Sequence, residues 1–244
     1  MGVVSYSTYL NMKLKINNNI RNLPDFLIVG AARSGTTSLY EYLGSNPDIF
    51  LSEPKEPWFF SFMDKPQDYS SPDFLKYHII SNIEQYLKLF DNADERALIG
   101  EASPSYLLLH QETIGNIKKI YGERFREIKI IIVLRNPVDR TYSMYNHFNK
   151  DLFETKDFST AIEERTIAER MHQNWNPFYD YISGSLYHKP VKDYMDMFPQ
   201  TRIVFFDELK NNPEKLIREV SNFLEVEPFY HFDKKRHNES GNFK

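Results

Sequence analysis

The chain has 244 residues, 41% of them hydrophobic and 15% aromatic, enough for one sizeable core or a core with a small appendage. Its net charge of -4 lacks the basic surplus that a general nucleic-acid binder needs. With no cysteine it has no disulfide scaffold, zinc–thiolate site, iron–sulfur cluster or cysteine nucleophile.

Residues 1–23 read as an N-terminal arm ahead of a single domain over 24–244. The arm lacks a signal-type apolar stretch: after Leu10 it turns polar, with Lys13, Lys15 and an asparagine run at 17–19. Met1-Gly2 suits N-myristoylation, but Tyr6 stands where that motif wants Ser or Thr. No segment approaches the roughly 20 apolar residues of a membrane helix. The expectation is therefore a soluble, cytoplasmic protein with no membrane span.

Residues 26–29 form the first short apolar run and predict a buried strand. A small-residue turn from Gly30 to Gly35 leads into a helix over 36–43, whose apolar face carries Leu39, Tyr40 and Leu43 and which Gly44 and Pro47 stop. Further strands are predicted at 97–100, 128–134 and 202–206. Each precedes a helical stretch, at 111–121, 137–149 and 212–224, and the segments 72–90 and 157–173 also read as mostly helical. Strand–helix alternation with nearly continuous apolar strands implies an α/β domain whose parallel sheet is covered on both faces. There is no internal repeat and no linker long enough to separate domains.

Two stretches carry chemistry. The first is Gly30-Ala31-Ala32-Arg33-Ser34-Gly35-Thr36-Thr37, between a predicted strand and a predicted helix. Small residues let the backbone curl so that N–H groups point inward, and the helix N-terminus adds its positive end. Thr36, Thr37 and Ser38 add hydroxyl donors. This is an anion cradle; the plainer alternative is a tight turn with polar capping residues. It resembles the triphosphatase P-loop, but Thr36 stands where that pattern needs a lysine, and the cation sits inside the loop as Arg33. The exchange suits ATP and Mg²⁺ poorly.

In the second stretch, the apolar run at 130–134 ends on Arg135, at the sheet edge where α/β proteins bind ligands. Asn136 suits an N-cap and Pro137 the first helical position, so Ser143 falls in the second turn. Arg135 and Ser143 can converge on one dianion, with forked charge-assisted bonds from the guanidinium. The alternative pairs Arg135 with Asp139 and leaves Ser143 an ordinary helix residue.

Together these stretches resemble the PAPS-dependent sulfotransferases, where PAPS is 3′-phosphoadenosine 5′-phosphosulfate. Ala32-Arg33-Ser34-Gly35-Thr36-Thr37 is similar to that family's "PKSGTT". The run from Arg135 through Asn136, Pro137, Arg140 and Ser143 to Tyr145 is similar to its "RxPxxRxxSxY". Lys55-Glu56-Pro57-Trp58-Phe59-Phe60, Gly100-Glu101-Ala102-Ser103-Pro104-Ser105-Tyr106, Ser183-Gly184-Ser185-Leu186-Tyr187 and Phe205-Phe206-Asp207-Glu208-Leu209 extend the likeness over about residues 24–230. It is closer to the heparan-sulfate-type and bacterial members than to the cytosolic steroid and phenol enzymes.

The resemblance implies a P-loop-like three-layer sandwich with a central parallel β-sheet flanked by helices. It also implies PAPS as co-substrate, 3′,5′-adenosine bisphosphate as product, no required metal, and a hydroxyl or amine acceptor. Arg33, Ser34, Gly35, Thr36, Thr37 and Ser38 are then expected to hold the 5′-phosphosulfate, and Arg135 and Ser143 the 3′-phosphate. Tyr187 and Arg236 are expected at the donor as well, Arg236 within the basic stretch that stands where the family closes the site. Glu56 aligns with the catalytic glutamate of the heparan-sulfate-type enzymes, making it the candidate general base, with Lys55 on the sulfuryl oxygens and Arg33 on the leaving phosphate. Glu53 is the nearest rival to Glu56, and His147 the runner-up base one helical turn after Ser143. Glu101 is read as orienting or structural, and Trp58 as a contact for adenine or acceptor. The competing readings are a P-loop-type small-molecule kinase and a non-catalytic anion- or glycan-binding module that keeps the loop without needing Glu56.

Overall fold

The structure is a computed structural model in which residues 12–65, 68–73 and 79–229 are described. In chain order its elements begin with strands β1 (Lys13–Ile16), β2 (Asn19–Asn22) and β3 (Phe26–Gly30), helix α1 (Thr36–Gly44), strand β4 (Ile49–Leu51) and helices α2 (Phe59–Phe62) and α3 (Ile83–Lys88). Strand β5 (Leu98–Ala102), helices α4 (Ser105–Leu108) and α5 (His110–Tyr121), strand β6 (Lys129–Leu134) and helix α6 (Pro137–Lys150) follow. The chain continues through α7 (Phe158–Ala161), α8 (Glu164–His172), α9 (His188–Met197), β7 (Thr201–Phe205), α10 (Phe206–Asn211) and α11 (Pro213–Leu224).

Five strands make one parallel sheet in the order β4-β5-β3-β6-β7. Every residue of β3 and β5 is buried, because apolar side chains leave both faces of these strands and both must be covered. Alternate side chains do this in opposite directions. Leu27, Val29, Ile99, Ile130 and Ile132 pack with Phe59, Phe60, Tyr86, Ile117 and Tyr194 on one face. On the other, Phe26, Ile28, Ile131, Val133 and Val204 meet Leu39 and Leu43 of α1 and Leu216, Ile217 and Val220 of α11. Each large side chain so buried contributes about 1.5–3 kcal/mol. The three-layer sandwich expected from the sequence is the architecture observed.

All four predicted strands are present. The sequence reading missed β4, whose three residues are too few to show a pattern, and also α9 and α10. Within 72–90 the described helix is only α3; Asn82 stops it upstream, its side chain accepting from Glu84 N at 2.9 Å and Gln85 N at 3.2 Å. The segment 157–173 divides into α7 and α8. Asn136 and Pro137 start α6 as expected, Asn136 Oδ1 accepting from Val138 N at 3.0 Å.

The hairpin of β1 and β2 is antiparallel and lies in the stretch read as an arm. Its flanks, Met12 and Leu23, are buried. Asp25 ties them to the sheet by accepting from Met12 N at 2.7 Å and Ile99 N at 2.8 Å, and burial pushes its carboxyl up to about 6. A third apolar cluster, built on Trp58, Met144, Phe148, Phe178 and Tyr181, sits beyond the strand ends. Its brace is a buried ion pair, Arg170–Glu154 at 2.8 Å, with Tyr181 Oη donating to the second Glu154 oxygen at 2.8 Å. No helix among the described residues is long and apolar enough to cross a membrane.

Gly100 sits directly beside Phe26 in the sheet, and a Cβ there would lie 2.1 Å from the Phe26 ring. Gly100→Ala should therefore overpack the core and cost about 1–3 kcal/mol, read from urea unfolding. An unchanged midpoint would mean that the Phe26 ring moves aside freely.

Candidate active site

The anion loop is held at the C-terminal ends of β3 and β6. Ala31 N donates to Val133 O at 2.7 Å and Ser34 N to Ala31 O at 3.2 Å, so the loop folds back on its own start. Arg33 and Gly35 adopt left-handed backbone, at φ 65° and 95°. Gly35 is required there twice over: an added Cβ would also lie 2.8 Å from Leu209 Cδ2. Gly35 is the N-cap of α1 and supplies no side-chain cap. The Ser34 hydroxyl is buried without a hydrogen-bond partner. Uncapped amides beside a buried unpartnered hydroxyl suit an anion's oxygens.

The second motif meets the first. Arg33 Nε donates to Ser143 Oγ at 3.4 Å, and Arg135 Nη1 donates to the Arg33 carbonyl at 3.3 Å. Arg135 lies over the Phe206 ring, 4.6 Å from its centroid, and its Nε has no hydrogen-bond partner. Stacking on Phe206 and the loop carbonyl takes the place of the Asp139 pairing weighed from the sequence. Tyr187 is half-buried beside Ser34 and the Arg135 backbone; burial raises its hydroxyl, while Ser34 and the Arg140 and Arg135 cations oppose the rise. Thus Arg33, Ser34, Arg135, Ser143 and Tyr187 form one constellation. Arg236 lies outside the described residues.

Arg140 is the residue the sequence reading passed over. It is 1% exposed, donates from Nε to Ala32 O at 3.1 Å, and from Nη1 to Tyr181 O at 3.1 Å and Ser185 Oγ at 3.3 Å. Burial lowers its ionisation to about 10. Gly184 makes room for it, since a Cβ there would lie 2.4 Å from Arg140 Nη1. Arg140 thereby staples the anion loop to the third apolar cluster. It is the second arginine of the RxPxxRxxSxY likeness, to which the sequence reading attached no role. Beside it, Ala31, Ala32, Leu107, Phe178, Leu186 and Tyr187 help to line a cavity of about 300 Å³.

Glu56 lies on a loop pinned to the end of β5. Its amide donates to Ala102 O at 3.0 Å, and both Glu56 and Trp58 take left-handed backbone, at φ 64° and 57°. The Glu56 carboxylate is paired with Lys55, and the two side chains are 29% and 18% exposed. Trp58, read as a ligand contact, is 2% exposed and packs between Phe62 and Phe178, at ring distances of 5.9 and 5.3 Å. Behind the loop is Glu101, wholly buried. It accepts from Ser103 Oγ at 2.6 Å, Tyr106 Oη at 2.7 Å and Tyr86 Oη at 3.2 Å. Burial pushes it up to about 7 against the lowering effect of these three donors.

The sulfotransferase domain profile matches residues 23–238. The chain belongs to the sulfotransferase domain family. A sulfotransferase from Alicyclobacillus acidocaldarius is 34% identical with a TM-score of 0.79, over 89% of this chain and 87% of that one. The human bifunctional heparan sulfate N-deacetylase/N-sulfotransferase 2 is 26% identical over 86% of this chain. This sulfotransferase domain spans 23% of that relative's length. The mouse sulfotransferase SULT7A1, solved in complex with PAP, shares the fold at a TM-score of 0.50 and 16% identity, over 85% of this chain and 60% of that one.

The burial of Glu101 predicts a pH-dependent stability for this domain. An unfolded glutamate titrates near 4.5 and the folded one near 7, so between these values the native state holds the extra proton. The contribution is fully present below 4.5 and is lost as pH rises through 7; Asp25 acts in the same direction between 3.8 and about 6. Urea unfolding at pH 5 and pH 8 should show a loss of stability that Glu101→Gln reduces. An equal loss in both proteins would exclude Glu101 as its source.

Proposed function

We propose that this domain moves a sulfuryl group from PAPS to a hydroxyl or amine acceptor by in-line displacement, with Glu56 as general base. The observation that carries the reading is the set of unsatisfied groups at adjacent strand ends: the uncapped start of α1, the buried Ser34 Oγ and the unpartnered Arg135 Nε. These groups fit an anionic donor, and family membership favours PAPS as that donor. Arg33 with Ser34, Gly35, Thr36, Thr37 and Ser38 holds the 5′-phosphosulfate, while Arg135, Ser143 and Tyr187 hold the 3′-phosphate end.

In the reaction the acceptor's oxygen or nitrogen bonds to sulfur as the bond from sulfur to the bridging phosphate oxygen breaks. By analogy with phosphoryl transfer, a loose displacement of this kind depends on positioning and charge more than on covalent help. Arg33 offsets charge on the leaving phosphate, Lys55 faces the sulfuryl oxygens, and Glu56 takes the acceptor's proton. A net charge of -4 suits a long polyanion such as the heparan sulfate of the human relative less well than a smaller acceptor.

Calorimetric titration with 3′,5′-adenosine bisphosphate, 5′-AMP and Mg-ATP tests the donor assignment. Selective, metal-independent binding of the bisphosphate is expected; preference for Mg-ATP would replace this reading with a kinase, and binding of none with a non-catalytic module. Arg135→Ala should weaken bisphosphate binding by about 1.5–3 kcal/mol. A loss of only a few tenths would place the 3′-phosphate elsewhere. With an acceptor in hand, Glu56→Gln should lower turnover about 10²–10⁴-fold at unchanged donor affinity, and full turnover would remove Glu56 from the mechanism.

A further inference from the structure

Two short hydrogen-bond relays run from the loop that carries Glu56 to a single buried carboxylate. Trp58 N donates to Ser103 Oγ at 3.0 Å, and Ser103 Oγ donates to Glu101 Oε1 at 2.6 Å. Two residues on, Phe60 N donates to Tyr106 Oη at 3.2 Å, and Tyr106 Oη donates to Glu101 Oε2 at 2.7 Å. The segment so held contains two non-glycine residues in left-handed backbone, Glu56 and Trp58, a conformation that persists only where the surroundings over-determine it. Among the described residues no cation contacts Glu101; its hydrogen-bond donors are hydroxyls.

We infer that Glu101 is a positioning residue for the transfer reaction, acting through Ser103 and Tyr106 on the backbone that aims Glu56. The inference rests on the reading of Glu56 as the base. Anionic Glu101 draws both hydroxyl protons toward itself and leaves each hydroxyl's lone pairs to the Trp58 and Phe60 amides, so both relays run in one direction. A protonated Glu101 turns one of its oxygens into a donor toward Ser103, Tyr106 or Tyr86, and where it faces Ser103 or Tyr106 that relay loses the pull of the carboxylate. The ionisable groups around it are Tyr86 from α3, Tyr106 from α4, Tyr121 from α5, Tyr194 from α9, Tyr40 from α1 and Glu56 itself. Burial raises all five tyrosines, so none ionises near neutrality, and Glu56 is the other carboxylate in the set. The pull of Glu101 on the loop therefore depends on its protonation.

The test needs a readout that a purely structural role would not move. Trp58 and Trp175 are the two tryptophans, so in the full chain carrying Trp175→Phe the emission reports on Trp58 alone. Emission should titrate near neutral pH, and Glu101→Gln should abolish that titration. Ser103→Ala, a smaller change than any at Glu101, should lower turnover about 10–100-fold with bisphosphate affinity unchanged, while Ser103→Thr, which keeps the hydroxyl, recovers most of it. A Trp58 titration that survives Glu101→Gln would overturn the inference. So would full turnover in Ser103→Ala when Glu56→Gln is inactive, and in that case the base assignment would stand. If instead Glu56→Gln keeps full turnover, the base assignment fails and the positioning role with it, even if the emission titration shows the loop coupled to Glu101.

Discussion

A parallel sheet buried on both faces leaves its strands only one place to meet solvent and ligand, the ends. In this protein β3 and β5 are buried at every position, and β6 is buried until its last residue. Polar chemistry is thereby pushed to the C-terminal edge, where the anion loop follows β3, Ser103 follows β5 and Arg135 follows β6. The register of three neighbouring strands brings together residues more than a hundred positions apart, as in the bond from Arg33 to Ser143.

That edge is rigid for identifiable reasons. The loop's left-handed turns at Arg33 and Gly35 are locked by Leu209 and Phe206 above and by the Arg140 guanidinium behind. Arg140 in turn is gripped by the carbonyl of Tyr181, whose hydroxyl is held by the Glu154–Arg170 pair. A buried ion pair adds little net stability, but breaking one is costly, so it acts as a fixed point for the third cluster. Glu101 is a second fixed point, behind the Glu56 loop, held there by three hydroxyl donors. At the same strand ends Arg135 Nε stays without a hydrogen-bond partner.

Much of the site was legible. A glycine-bounded turn between an apolar run and a helix, and an apolar run ending on Arg135 before Asn136-Pro137, are local patterns governed by backbone sterics and capping. For the same reason the four longer strands and the helices α1, α5, α6 and α11 could be read. Strand β4 could not, because three residues carry no periodicity and its strand state comes from pairing with β5. The helix α9 opens with His188, Lys189 and Pro190, a polar start with no capping side chain to announce it. Trp58 looked like a ligand platform beside Glu56, yet its neighbours Phe62 and Phe178 take up its ring.

By itself the sequence determined the layer architecture, the tight turn from Gly30 to Gly35, the start of α6 at Asn136-Pro137 and the family these belong to, because each rests on residue types at short, fixed spacings. Only the tertiary structure decided which polar groups are left without partners, that Arg140 is a buried staple and not a surface cation, and that Glu101 stands behind the Glu56 loop through Ser103 and Tyr106. Those properties depend on burial and on contacts between distant segments. An isolated carboxylate or guanidinium in a sequence has no neighbours until the chain has folded around it.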